Sequence, residues 1–528
     1  MLDKKLDPEQ AKRCQESKWY PKYHVAPPVG WLNDPNGFSY YKGQYHIFYQ
    51  YHPYSVNWGP MHWGHSTSKD LFHWEHQPIA ITPGEFSEGK EWYDWDGCFS
   101  GCGYEFEGKL WLMYTSQRFN RSAEGTDVGG NASNPSGYNP SGSSGGGNVT
   151  ERQCFAYSED GINFTKYEKN PVIDIPNDHP IVANIDFRDP KIWDHDGKYY
   201  CAIGNRIHDR SRTQIVLFDS DNFFDWKFKS VAAISKPDYS EGTMWECPGF
   251  AHFGDTYVMI ISPQHVPPQG YMFHNIHQAG YMVGKLDYDK GVFSHGEFFT
   301  FDHGFDFYAT TMMKNHEGRY FIIAWMAAWQ SPFPEQADGW ATMLTIPREL
   351  QYKDGKVYTI PPKELEGLRE GAEHAHYENI TIDNAVASAK FKGVKGNCGE
   401  LLLEIDAKAS PEFEIDLFAG DAEKEDAVEK TVLRCLIEDG KTVLALNRDH
   451  AGAGGTGERK VILQPFGDVL KFRMFLDKSA LEIFINGGAD AEVMTTRVYP
   501  RPESQDIVFI PQGSPLVIKS VDFYKYKF

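Results

Sequence analysis

Cysteine is scarce in this chain: eight residues among 528, at positions 14, 98, 102, 154, 201, 247, 398 and 435. So few and so scattered, they exclude a disulfide-built scaffold. The spacing of Cys98 and Cys102 suits zinc, but no second Cys or His pair answers them, so all eight read as free thiols of a reducing compartment. Long apolar runs are also missing. No stretch approaches a membrane span, and MLDKKLDPEQAKRCQESKWYPKY holds no signal-type apolar core, so a cytoplasmic location is expected. Nor is there a block of Lys and Arg. With 52 Lys+Arg against 73 Asp+Glu the formal charge is −21. Without clustered cations, nucleic acid and anionic membrane are excluded as main partners.

What the chain does have is aromatic side chains, 15% of residues, with only 24% charged. That composition excludes a disordered or fibrous chain, and the length allows two to four domains. A Gly turn followed by an alternating aromatic/aliphatic run recurs five times: KGQYHIFYQ, EGKLWLMYT, DGKYYCAIG, FGDTYVMIIS and EGRYFIIAW, at Gly43, Gly108, Gly197, Gly254 and Gly318. Each reads as a β-hairpin. The intervals are 65, 89, 57 and 64 residues, and the long one contains a Gly/Ser/Asn-rich insertion at about 119–150. STSKDLFHW, YSEDGINF and FDSDNFFDW place Ser and an acid before an aromatic and read as outer strands of the same unit. Five such units predict an all-β fold, a five-bladed β-propeller over 20–360. A linker or short helix at 361–374 follows. Short β-runs over 375–528 then predict a β-sandwich for scaffolding or for homo-oligomerisation.

Counting back from the repeat glycines brings out three acids. Asp34 lies nine residues before Gly43, Asp189 eight before Gly197 and Glu246 eight before Gly254; Ser100 stands eight before Gly108. Inner strands of a propeller line its axis, so these carboxylates should converge at one mouth of the channel. Any one motif reads equally well as a turn or a solvated acid. Their common register points to function, because three clustered acids repel one another and are seldom kept without a use.

WLNDPNG, the FYQ ending at Gln50, NWG at Trp58, FSG at Ser100, RDP and EC, in that order, resemble the motif set of glycoside hydrolase family 32. The resemblance runs from about Tyr23 to Leu350, and SALEIFINGG (479–488) is similar to the family's C-terminal sandwich. It implies a propeller plus sandwich and a retaining β-fructofuranosidase that acts on sucrose or short fructo-oligosaccharides without a cofactor. It also implies Asp34 as nucleophile, Glu246 as general acid/base and Asp189 as transition-state stabiliser. Trp31, Asn33, Gln50, Trp58, Phe99, Ser100 and Arg188 would hold the fructosyl unit.

Retaining chemistry needs two carboxyls about 5–5.5 Å apart. Asn33 and nearby backbone N–H groups should keep Asp34 ionised, while burial and its acidic neighbours should keep Glu246 protonated. Arg188 should offset Asp189 or bind sugar hydroxyls. Loops 51–63, 119–150, 205–212, 262–280 and 326–340 should form the rim. The 119–150 insertion either covers leaving-group subsites or is a surface loop without a role.

Alternatives are a sucrose-6-phosphate hydrolase using Arg206, Arg210 and Arg212, a fructosyltransferase, and a non-catalytic carbohydrate-binding propeller. HWGH (62–65) does not present both rings together on a strand, so no metal is expected. No phosphate loop, serine elbow or dinucleotide fingerprint stands out.

Overall fold

The computed structural model describes residues 7–84, 93–119, 149–421, 428–464, 466–486 and 492–528. Five antiparallel sheets in sequence order form a five-bladed β-propeller, and two further sheets form a C-terminal β-sandwich. The inner strands of the blades are Gly30–Tyr41, Gly97–Phe106, Phe187–His195, Met244–Phe253 and Tyr308–Lys314. Each hairpins back into a second strand at the turn carrying the repeat glycine. Three of these turns have positive φ at both central residues, Lys42–Gly43, Glu107–Gly108 and Asp196–Gly197. That conformation matches the twist of the flanking strands and explains the glycine at the second place.

The Ser-acid-aromatic motifs occupy a different place from the one expected. They form the turns that lead into the outermost strands. Ser68, Ser158 and Ser220 end the third strands of their blades, and the outermost strands begin at Glu75, Thr165 and Lys227. Asp70 accepts from the Phe72 and His73 amides, Asp160 from Ile162 and Asn163, and Asn222 from Phe224 and Asp225. A short acceptor side chain that closes a turn onto its own backbone gives the motif its recurrence.

The ring closes on blade one. Trp340–Ala341, from the far end of the propeller, pairs in parallel with Gly30 and Trp31. A 3-10 helix at Lys363–Arg369 then leads to the sandwich, whose first strand is Glu373–Ile382. The two sandwich sheets enclose an aliphatic core that includes Leu401, Leu403, Ile415, Leu433, Leu446, Ile483 and Val521.

Propeller and sandwich meet over buried charge. Arg348 of blade five donates to Asp302 at 3.0 Å and, across the boundary, to Glu482 at 2.5 Å and Thr495 at 2.6 Å. His24 sits within hydrogen-bond distance of both Asp477 (2.8 Å) and Glu482 (3.1 Å). Those hydrogen bonds outweigh burial and raise its pKa to about 9. Arg448 and Arg497, both of the sandwich, pair with Asp306. All eight cysteines are free thiols. Among the described residues no helix is long and apolar enough to cross a membrane. The greater part of the 119–150 insertion, residues 120–148, lies outside the described residues, and with it the expectation about leaving-group subsites.

Candidate active site

Every inner strand carries a bulge near its start. The pairing skips between Leu32 and Pro35, Phe99 and Gly101, Arg188 and Lys191, Glu246 and Gly249, and Tyr308 and Thr311. An extra residue in one strand bends it and redirects its side chains. Asp189, Cys247 and Ala309 sit at these bulges with φ of 64°, 50° and 52°. This register corrects the expectation that the three acids hold equivalent positions. Glu246 immediately precedes its bulge, as Arg188 and Tyr308 precede theirs, whereas Asp189 and Asp34 lie within theirs. The count from glycine misled because Gly254 is the first central residue of its turn and Gly197 the second.

The bulges nevertheless bring all three acids to one recess with about 440 Å³ of empty space. It is lined by Asn33, Asp34, Gln50, Trp58, Phe99, Ser100, Arg188, Asp189, Glu246, Tyr308 and Trp329. Asn33 Nδ2 donates to Asp34 Oδ1 at 3.1 Å, and Ser100 Oγ donates to Asp34 Oδ2 at 2.9 Å. Asn33 thus holds Asp34 as expected, and the Ser100 hydroxyl stands where backbone amides were expected. Burial and then the Glu246 charge push its carboxyl up to about 6, against those hydrogen bonds and Arg188. Asp189 accepts from the Cys247 amide at 2.9 Å. Burial, Glu246 and Asp34 raise its pKa despite the Arg188 charge.

Arg188 offsets the charge of Asp189 as expected and has a further task besides. Its Nε donates to Glu246 Oε1 at 3.1 Å, while its other nitrogens donate to Glu151 at 2.8 Å and Asp186 at 3.1 Å. Tyr308 donates its hydroxyl to Glu246 Oε2. Sequence reasoning missed Tyr308, Glu151 and Asp186. Arg188 and Tyr308 reach Glu246 because all three occupy the same step before a bulge, and that signal exists only in the pairing register.

Of the other expected sugar contacts, Trp31 acts from behind the surface. Trp31 is 3% exposed and absent from the recess lining. Its Nε1 donates to Asn33 Oδ1 at 2.9 Å, and its ring stacks against Trp329. It positions Asn33 instead of facing the cavity. Gln50 lines the recess but gives its Nε2 to the Cys98 carbonyl at 2.9 Å. Trp58 and Phe99 meet edge to face at 6.1 Å and form an aromatic wall.

Sequence comparison agrees with the architecture. Residues 24–361 match the model of the glycosyl hydrolases family 32 N-terminal domain, and residues 364–525 match that of the family's C-terminal domain. The chain belongs to glycosyl hydrolase family 32. Similar family 32 relatives include an Escherichia coli sucrose-6-phosphate hydrolase, 35% identical over 93% of this chain and 91% of that protein. An Escherichia coli raffinose invertase is likewise 35% identical, over 93% and 91%. Among solved family 32 structures, a Bombyx mori beta-fructofuranosidase mutant in complex with sucrose aligns with a TM-score of 0.77 and 31% identity. That alignment covers 99% of this chain and 97% of that one.

Proposed function

We propose that this chain is a retaining β-fructofuranosidase that releases terminal fructose from sucrose and short fructo-oligosaccharides. The reading is carried by the convergence of Asp34, Asp189 and Glu246 on one recess, with an aromatic wall and directional polar groups around them. Asp34 attacks the anomeric carbon of the fructosyl unit as Glu246 protonates the departing oxygen. Water, deprotonated by Glu246, then cleaves the fructosyl–Asp34 ester and restores both carboxyls. Asp189 holds ring hydroxyls.

Arg188 shares its charge among Glu246, Glu151 and Asp186. The hydrogen bonds from Asn33 and Ser100 favour the ionised form of Asp34 that the attack requires.

Sucrose 6-phosphate is the competing substrate, as the E. coli relative's name indicates. The three rim arginines, however, already have partners, although Arg206 Nε finds none among the described residues. Arg206 donates to the Arg210 carbonyl at 2.9 Å and Arg212 to that of Ser235 at 2.6 Å, while Arg206 and Arg210 approach Asp186 at 3.9 and 4.0 Å. A phosphate would have to displace these contacts, which favours the uncharged disaccharide. Chromatography of products from sucrose, sucrose 6-phosphate, kestose, inulin and levan tests the proposal. Fructose from sucrose and kestose is expected, and fructose from none of them would overturn it. A kcat/KM for sucrose 6-phosphate a hundredfold above that for sucrose would transfer the assignment to the phosphorylated sugar. Asp34→Ala should lower kcat by about four orders of magnitude or more with the fold intact.

A further inference from the structure

Far from the recess, the outer face of the sandwich gathers two imidazoles and a carboxylate. Glu373–Ile382 is the edge strand of the six-stranded sheet and pairs with Leu516–Lys525. On a strand, residues two apart share a face, so His374 and His376 project together, unlike His62 and His65, which are three apart. The register sets Asp522 opposite His376. His374 Nε2 lies 2.8 Å and His376 Nδ1 2.7 Å from the same oxygen, Asp522 Oδ1. One ligand atom from each residue falls within 4.8 Å of the others.

We propose that His374, His376 and Asp522 form a zinc site. The donor set decides the class of ion. Two imidazoles and one carboxylate suit Zn²⁺, whereas Ca²⁺ and Mg²⁺ need several oxygens. Ligands at about 2.1 Å in tetrahedral array lie roughly 3.4 Å apart, so each N···O distance opens by about 0.6–0.7 Å. Both histidines are partly exposed and have room for that rotation.

The surroundings supply a second, independent indication. His376 would bind through Nδ1, and its remaining nitrogen, Nε2, lies 3.2 Å from Glu378 Oε1. A carboxylate on the far nitrogen of a ligating histidine fixes its tautomer and raises its basicity. The His374 ring stacks flat on Tyr524, 4.2 Å between centroids and 1° from parallel, with Arg369 on the Tyr524 ring. Both imidazoles are therefore oriented before an ion arrives. Three protein ligands leave the fourth position to water. The ion would tie the edge strand to its neighbour, strengthening an exposed edge and leaving the recess untouched.

The test uses the full-length protein, treated with chelator and titrated with ZnCl₂ by calorimetry. One Zn²⁺ per chain is expected in the wild type, and none at the same concentrations in His374→Ala/His376→Ala. Glu378→Gln should weaken binding about 10–100-fold. Saturating ZnCl₂ should raise the wild-type Tm and leave that of the double variant unchanged. Sucrose hydrolysis at the wild-type rate confirms that the double variant is folded. If the wild type binds no Zn²⁺, or if the double variant binds it with the same stoichiometry and affinity, the proposal is wrong.

Discussion

At the scale of single residues, the recess is a contest between burial and hydrogen bonding. Burial and Glu246 lift Asp34 to about 6, while Ser100 and Asn33 act in the opposite direction. Only the ionised carboxylate attacks, so kcat/KM should lose about tenfold per pH unit below pH 6 as Asp34 takes up a proton. Ser100→Ala removes a donor to the charged form and should move this acid limb to higher pH. An unmoved limb would show that another group sets it. The acids themselves were legible in sequence because NDPNG, RDP and EC stand at near-regular distances from repeat glycines. The partners of Arg188 were not. Glu151 lies 37 residues and Glu246 58 residues away in the chain, and only the folded blades bring them onto one guanidinium.

At the scale of elements, the hairpins could be read from the sequence and the bulges could not. A turn with two positive φ values demands glycine, which leaves a mark at Gly43, Gly108 and Gly197. A bulge is a mismatch between two strands and has no required residue, so the equivalence of Glu246 with Arg188 and Tyr308 went unseen. One glycine does report a bulge. A Cβ on Gly101 would lie 1.9 Å from the Met113 carbonyl oxygen across the strand pair. Backbone cannot yield cheaply there, so Gly101→Ala should lower Tm by several degrees and reduce activity by distorting Ser100. Thermal unfolding monitored by circular dichroism, alongside an assay, checks both.

At the scale of the whole molecule, two domains share one set of buried charges. Removing Arg348 leaves Asp302 and Glu482 buried without their main cation. Arg348→Ala should therefore cost about 3–5 kcal/mol in denaturant unfolding. His24 adds a pH dependence. Its pKa is about 9 in the folded protein against 6.5 unfolded. The stabilisation it contributes is therefore complete below pH 6.5 and is lost as pH rises through 9. Tm should fall across that interval in the wild type, and the fall should flatten in His24→Gln. The sequence showed two β domains but not how they join, because His24, Arg348 and Glu482 come from three distant segments with no common motif.

The clasp between Gly30–Trp31 and Trp340–Ala341 has a consequence for how the protein is made. The strand bearing Asp34 is made before every other described strand of the propeller, yet the neighbour on its inner edge arrives more than 300 residues later. Asp189 and Glu246 come from blades three and four, in between. A nascent chain released before residue 341 would carry all three acids and still lack the segment that holds the ring shut. The circle thus closes late in synthesis, well after the last of its three acids has been made.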